Sequence, residues 1–236
     1  MDIDKDLIPW LLLLHVAAGS IALFVAPLAM IVRKGGDWHR RWGITFFWSM
    51  VVVCATAITL GILHPKRFWL ALVAVFSFHL IASGYRSLYL KRLHEGQKPS
   101  GLDLLLHGFA GVVDAGLLIW GVSHLFLGRR STDAVLFIVF GLLGAIMVVA
   151  NLVRFYRRKN DKREWLYGHM VGFLGGYIGT VSAFSAVNLT MIRPVWLQWL
   201  WPTIIGVPLI VLWVWSYRRK FASGQRMRKL ADIRIR

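Results

Sequence analysis

The sequence predicts an all-α integral membrane protein of seven transmembrane helices, with the N-terminus outside and the C-terminus cytoplasmic. Three observations predict it. Apolar residues make up 57% of the 236-residue chain and charged residues 17%, with a mean hydropathy of +0.60, which leaves too little polar surface for a water-soluble globule. The apolar residues are gathered into seven runs of about twenty residues or more, the length a helix needs to cross a hydrocarbon core of about 30 Å. The 28 Lys+Arg outnumber the 11 Asp+Glu and sit in short clusters between those runs. That is how a polytopic protein marks its cytoplasmic side, and it argues against nucleic acid as the partner of the +17 charge.

The spans follow in order at 7–32, 43–64, 67–90, 103–127, 132–155, 165–191 and 195–217. The first follows the acidic stretch Met1-Asp2-Ile3-Asp4-Lys5-Asp6, the reverse of a secretory leader's basic start, so it is expected to be a span. The second holds Cys54, the single cysteine, which excludes a disulfide framework and a thiolate metal cluster. The third is interrupted by Arg86, close enough to its end to snorkel. The fourth carries Asp114 at mid-span, and Arg154 lies near the end of the fifth. The sixth has overlapping GxxxG patterns through Gly168, Gly172, Gly175, Gly176 and Gly179, which predict close helix packing, with a cofactor cleft as the alternative. The seventh contains Pro202 and Pro208, which predict a kink. No loop is long enough for a soluble catalytic domain, so chemistry is expected inside the bundle or at its rims.

Orientation follows from the cations. The loops around 33–41, 86–98 and 154–163 and the tail 218–236 hold 22 Lys+Arg; the opposite side holds 6. Trp10, Trp69, Trp120, Trp196, Trp199 and Trp201 fall near the outer ends and Trp42, Trp165, Trp213 and Trp215 near the inner ends, as interfacial belts. The basic, aromatic segment Trp38-His39-Arg40-Arg41-Trp42-Gly43 is expected as a headgroup-binding loop.

An internal repeat divides this single domain. Leu12-Leu13-Leu14-His15 and Leu104-Leu105-Leu106-His107 open the first and fourth spans, each followed by x-x-Ala-Gly. His79 with Gly84-Tyr85 and His169 with Gly176-Tyr177 mark the third and sixth. Residues 7–98 and 99–191 are therefore expected to be inverted three-helix units, with 195–217 added and 218–236 a basic cytoplasmic tail.

Of eight histidines, His39 and His94 fall in predicted loops and His64 and His124 at outer helix ends. His15, His79, His107 and His169 lie within apolar helix, where an ionisable group marks function. Counting 1.5 Å per residue from the span ends puts His15 and His79 about 12–15 Å from the outer surface and His107 and His169 about 5–6 Å from the inner one. Two bis-histidine sites are expected: His15/His79 and His107/His169, each holding a haem b, with small residues such as Gly84, Gly108, Gly111, Gly168, Gly172 and Gly176 leaving room for the macrocycle. Arg86, Tyr85, Arg154 and Tyr177 are available to the propionates. Asp114, the one acid expected to be buried, is expected to be catalytic or supporting: orienting a ligand histidine, relaying protons or completing a metal site. The reading is a haem-binding transmembrane electron-transfer protein of the bacterial inner membrane, a membrane oxidoreductase if it is an enzyme. Its expected partners are lipid and a quinone or another redox protein. The alternatives are an intramembrane enzyme holding zinc or iron through the same histidines and Asp114, and a non-catalytic transporter or accessory subunit in which the repeats form a substrate path.

His15 with Gly19, His39-Arg40-Arg41-Trp42-Gly43, His79, and His169 with Tyr177 and Ala183-Phe184…Asn188 make the chain resemble a functionally unassigned family of bacterial predicted membrane proteins, domain of unknown function 2306. The resemblance implies a multi-span helical fold and carries no activity.

Overall fold

The computed structural model describes residues 7–128 and 132–223, without the side chain of Arg67. Among these residues seven long helices stand where seven spans are predicted: α1 (Ile8–Ile31), α2 (Asp37–Leu63), α3 (Phe68–Ser87), α4 (Gly101–Phe126), α5 (Thr132–Tyr156), α6 (Glu164–Asn188) and α7 (Val195–Ala222). All seven are long and apolar enough to cross a membrane. Their outward faces carry large apolar side chains, among them Phe24, Val112, Ile119 and Val149, more than half exposed, which suits lipid and not water as the surrounding solvent.

Local sequence explains the ends. The turn between α1 and α2 needs the left-handed backbone of Gly35 (φ 76°), open to glycine at no steric cost. α2 then starts at Asp37, earlier than the predicted 43, so the Trp38–Gly43 segment is helix and not loop. Gly36 is its extended N-cap, and Asp37 meets the positive end of the helix dipole. Trp38 stacks on Trp42, 5.8 Å between ring centroids, with the Arg41 guanidinium over Trp38. α4 opens with a reciprocal cap: the Asp103 amide donates to Ser100 Oγ, and the Asp103 carboxylate accepts from the Ser100 amide. α7 is one helix through Pro202 and Pro208 and runs five residues past its predicted end. The basic tail is described only to Ser223; the rest of it, together with the leader and Arg129–Arg130, lies outside the described residues.

α1 pairs with α2 and α4 with α5, and the centre is the α3–α6 crossing. α3 touches α2, α4, α5 and α6; α7 packs on α6 and α5. The α3–α6 crossing depends on glycine. A Cβ on Gly172 would lie 2.5 Å from Gly84 Cα and 2.5 Å from Leu80 O, so the two backbones touch. The packing function predicted for the GxxxG series is the one found there. The α1–α2, α3–α4 and α5–α6 connections share one end of the bundle, called here the basic end.

Candidate functional site

A polar cluster is buried between α3, α4 and α5 toward the basic end. α4 supplies its spine: Asp103, His107, Ala110, Asp114, Leu117 and Gly121 are buried at helical spacing on one face. At the centre, His79 on α3 and His107 on α4 are each 1% exposed, and His79 Nε2 and His107 Nδ1 are 2.7 Å apart. The rings stand at 88° with centroids 4.9 Å apart. One nitrogen donates and the other accepts, so the pair shares a proton; His79 Nδ1 is buried with no hydrogen-bond partner. Phe155 covers the His107 ring at 5.2 Å.

One turn toward the basic end, Asp103 is fully buried and held by Arg86: Nε donates to Oδ1 at 2.7 Å and Nη2 to Oδ2 at 3.1 Å. This two-pronged fit is the strong form of an ion pair. Ser100 adds its amide and hydroxyl to Oδ2. Arg154 of α5 is buried and donates from Nη2 to Ser87 Oγ at 3.1 Å, with its guanidinium over Phe155. Gly168 makes that possible, because a Cβ there would fall 1.7 Å from Arg154 Nη1.

Two turns beyond His107, Asp114 is fully buried and neither carboxyl oxygen has a hydrogen-bond partner. It fits because α5 presents Gly144 to it: a Cβ there would lie 2.2 Å from Asp114 Cγ. Gly141, one turn away, lets the α5 backbone approach that of α4 at Leu118.

The four intramembrane histidines are thus present, and their expected pairing is corrected. His15 does not meet His79. Its Nδ1 lies 2.9 Å from Thr56 Oγ1 and 3.2 Å from Val53 O, a tie between α1 and α2. His169 does not meet His107; its Nδ1 donates to Gly84 O at 3.4 Å, and its ring lies beside Phe173 and His39. The physical reason is helix length. α3 has 20 residues, so His79 lies about 12 Å from its basic end, close to the level of His107, about 9 Å into α4. A metal between two imidazoles needs each nitrogen at about 2.0–2.1 Å, hence about 4 Å between nitrogens on opposite sides. At 2.7 Å, His79 and His107 are hydrogen-bonded to each other with no room for iron.

The expected clefts are also closed along α6. Gly84 and Gly172 are pressed together, Gly168 is filled by Arg154, and Gly176 by Ile81. Arg86 is committed to Asp103. Tyr85 stacks on Phe47 at 4.3 Å with its hydroxyl 3.3 Å from that of Tyr89, and Tyr177 packs against Phe46. These placements do not form propionate-binding ends for the two expected haems. Among the described residues, no three or more His, Cys, Asp or Glu side chains stand together as a metal-binding group. Sequence reasoning missed Asp103, whose signal is Ser100-x-x-Asp103 one turn before His107 on the same face, and the Gly141/Gly144 seat of Asp114.

Beside the cluster lies an apolar slot of about 450 Å³ between α3, α5, α6 and α7. Leu80, next to His79, and Leu143, next to Gly144, line it, with Arg218 at its basic end. No family model matches the chain, and no curated protein or solved structure matches it.

Proposed function

We propose that the protein is a proton-linked membrane carrier whose exchangeable proton is held by the His79–His107 pair. The observation that carries this reading is the 2.7 Å bond between imidazoles of two different helices, each 1% exposed. Ionisable groups are costly inside a membrane and there mark ion and proton pathways. Two neutral arrangements, with the shared proton on His79 Nε2 or on His107 Nδ1, differ by transfer along that bond coupled to loss of a proton from His107 Nε2 and gain of one at His79 Nδ1, so exchange between them moves one proton through the pair. An added proton turns the pair into a cation, and Asp114 on the same α4 face supplies an uncompensated acid about 10 Å farther into the bilayer. An unpaired carboxylate costs at least about 2.5 kcal/mol at that depth, whereas the neutral acid avoids the cost, so Asp114 suits proton loading.

The slot is the proposed seat of an apolar or amphiphilic substrate. It shares the α3 and α5 walls with the proton site, so a change of charge at His79, His107 or Asp114 reaches the helices that line it. The inverted relation of α1–α3 and α4–α6 is supported by the matching α1–α2 and α4–α5 pairs and the central α3–α6 crossing. The 22-to-6 distribution of cations supports a cytoplasmic basic end.

Infrared difference spectra of the purified chain between acid and neutral pH test the reading. Imidazole bands are expected that vanish in both His79→Ala and His107→Ala, together with a protonated-carboxyl band that vanishes in Asp114→Asn. Spectra without these bands, or with bands unchanged in all three variants, overturn it.

A further inference from the structure

A second pair of histidines has the ring spacing that the first lacks. His39, in the first turn of α2, and His169, in the second turn of α6, line one cavity of about 110 Å³ at the basic end between α1, α2, α6 and α7. Their ring centroids are 6.3 Å apart and their planes 79° apart. Two imidazoles on opposite sides of one metal, each at about 2.0–2.1 Å, place their centroids about 6.4 Å apart. The hydrogen-bonded His79–His107 rings are much closer, at 4.9 Å.

The hydrogen bonds set the tautomers. His39 Nδ1 is 2.9 Å from Ala29 O, and His169 Nδ1 is 3.4 Å from Gly84 O. A carbonyl oxygen only accepts, so each Nδ1 carries the ring proton and each Nε2 keeps its lone pair. An imidazole whose far nitrogen donates to a main-chain carbonyl is the usual arrangement of a metal-ligating histidine. The thioethers of Met30 and Met170 also line the cavity, and Gly43 leaves open space where a side chain would stand. Imidazole with thioether suits copper and haem iron. Tyr217 lines the same cavity and offers its hydroxyl to a ligand that brings negative charge, such as a porphyrin carboxylate.

We infer that His39 and His169 ligate, through Nε2, one transition-metal centre, either a bare ion or the iron of a haem. This stands apart from proton binding at His79–His107 and shares no residue with it. The test uses the full chain, purified without a histidine tag and titrated in parallel arms with haemin and with copper salt. Haemin binding that gives a low-spin spectrum with paired imidazole ligation assigns haem; retained copper with nitrogen hyperfine structure assigns the ion. In the arm that binds, one centre per chain is expected, with affinity at least tenfold lower in His39→Ala and in His169→Ala and unchanged in His15→Ala. His39→Gly is expected to regain the wild-type spectrum with added imidazole, which a merely structural role would not produce. Should the alanine variants fail to fold, nitrogen ligation in the wild-type spectrum still decides. Absence of binding in both arms, a spectrum lacking nitrogen ligands, or full binding by both variants overturns the inference.

Discussion

The side chains of the cluster are held by partners of unequal strength, and each predicts a different response. Asp103 is fully buried and its two oxygens are taken by Arg86 and Ser100, so Asp103→Ala leaves a guanidinium facing an apolar hole. Breaking a buried pair from one side costs about 3–5 kcal/mol; Arg86 is 24% exposed and recovers some hydration, so a loss near the lower end, about 3 kcal/mol, is expected in reversible unfolding from detergent. His107→Ala removes a neutral partner and strands His79 Nε2, which costs about 1–3 kcal/mol in the same measurement. His15→Ala costs less, about 0.6 kcal/mol, because Thr56 keeps its own bonds to Val52 and Val53 carbonyls. Equal losses at His107 and His15 would show that the central pair is no more than a tie between helices.

At the scale of the element, small residues decide which helices touch. α3 and α6 cross where Gly84 meets Gly172, and backbone cannot move aside as a flexible side chain can. Gly172→Ala is therefore expected to destabilise by about 1–3 kcal/mol, read from thermal unfolding, whereas Gly108→Ala, with nothing within 4 Å, changes little. Gly144→Ala puts a methyl group into the carboxyl of Asp114. Its expected signature is loss or shift of the Asp114 infrared band with the His79–His107 bands retained. The α4 stripe of Asp103, His107 and Asp114 was half legible: His107 and Asp114 stand out in an apolar run, whereas Asp103 is concealed at a span boundary where a charged residue is ordinary. The Trp38–Gly43 segment misled for a related reason. Its charges end the hydropathic run, but charge does not stop a helix, and α2 continues through it to Asp37.

For the molecule as a whole, seven crossings put the α1–α2, α3–α4 and α5–α6 turns on one face and the remaining turns on the other. In a Cys54→Ser background, a cysteine in place of Lys98 is expected to be labelled by an impermeant thiol reagent only from the cytoplasmic side of oriented vesicles, and one in place of Lys66 only from the opposite side. Labelling of both from one side would refute the topology. The number of spans, their order and the end where cations gather were determined by sequence alone, because hydropathy and charge act on each segment without regard to its neighbours. Tertiary structure alone decided that His79 faces His107, that His169 stands beside His39, and that α3 and Arg154 fill the space at the α6 glycines. Those facts depend on each helix's length, rotation and distance of approach, which are set by side chains of other helices hundreds of atoms away along the chain.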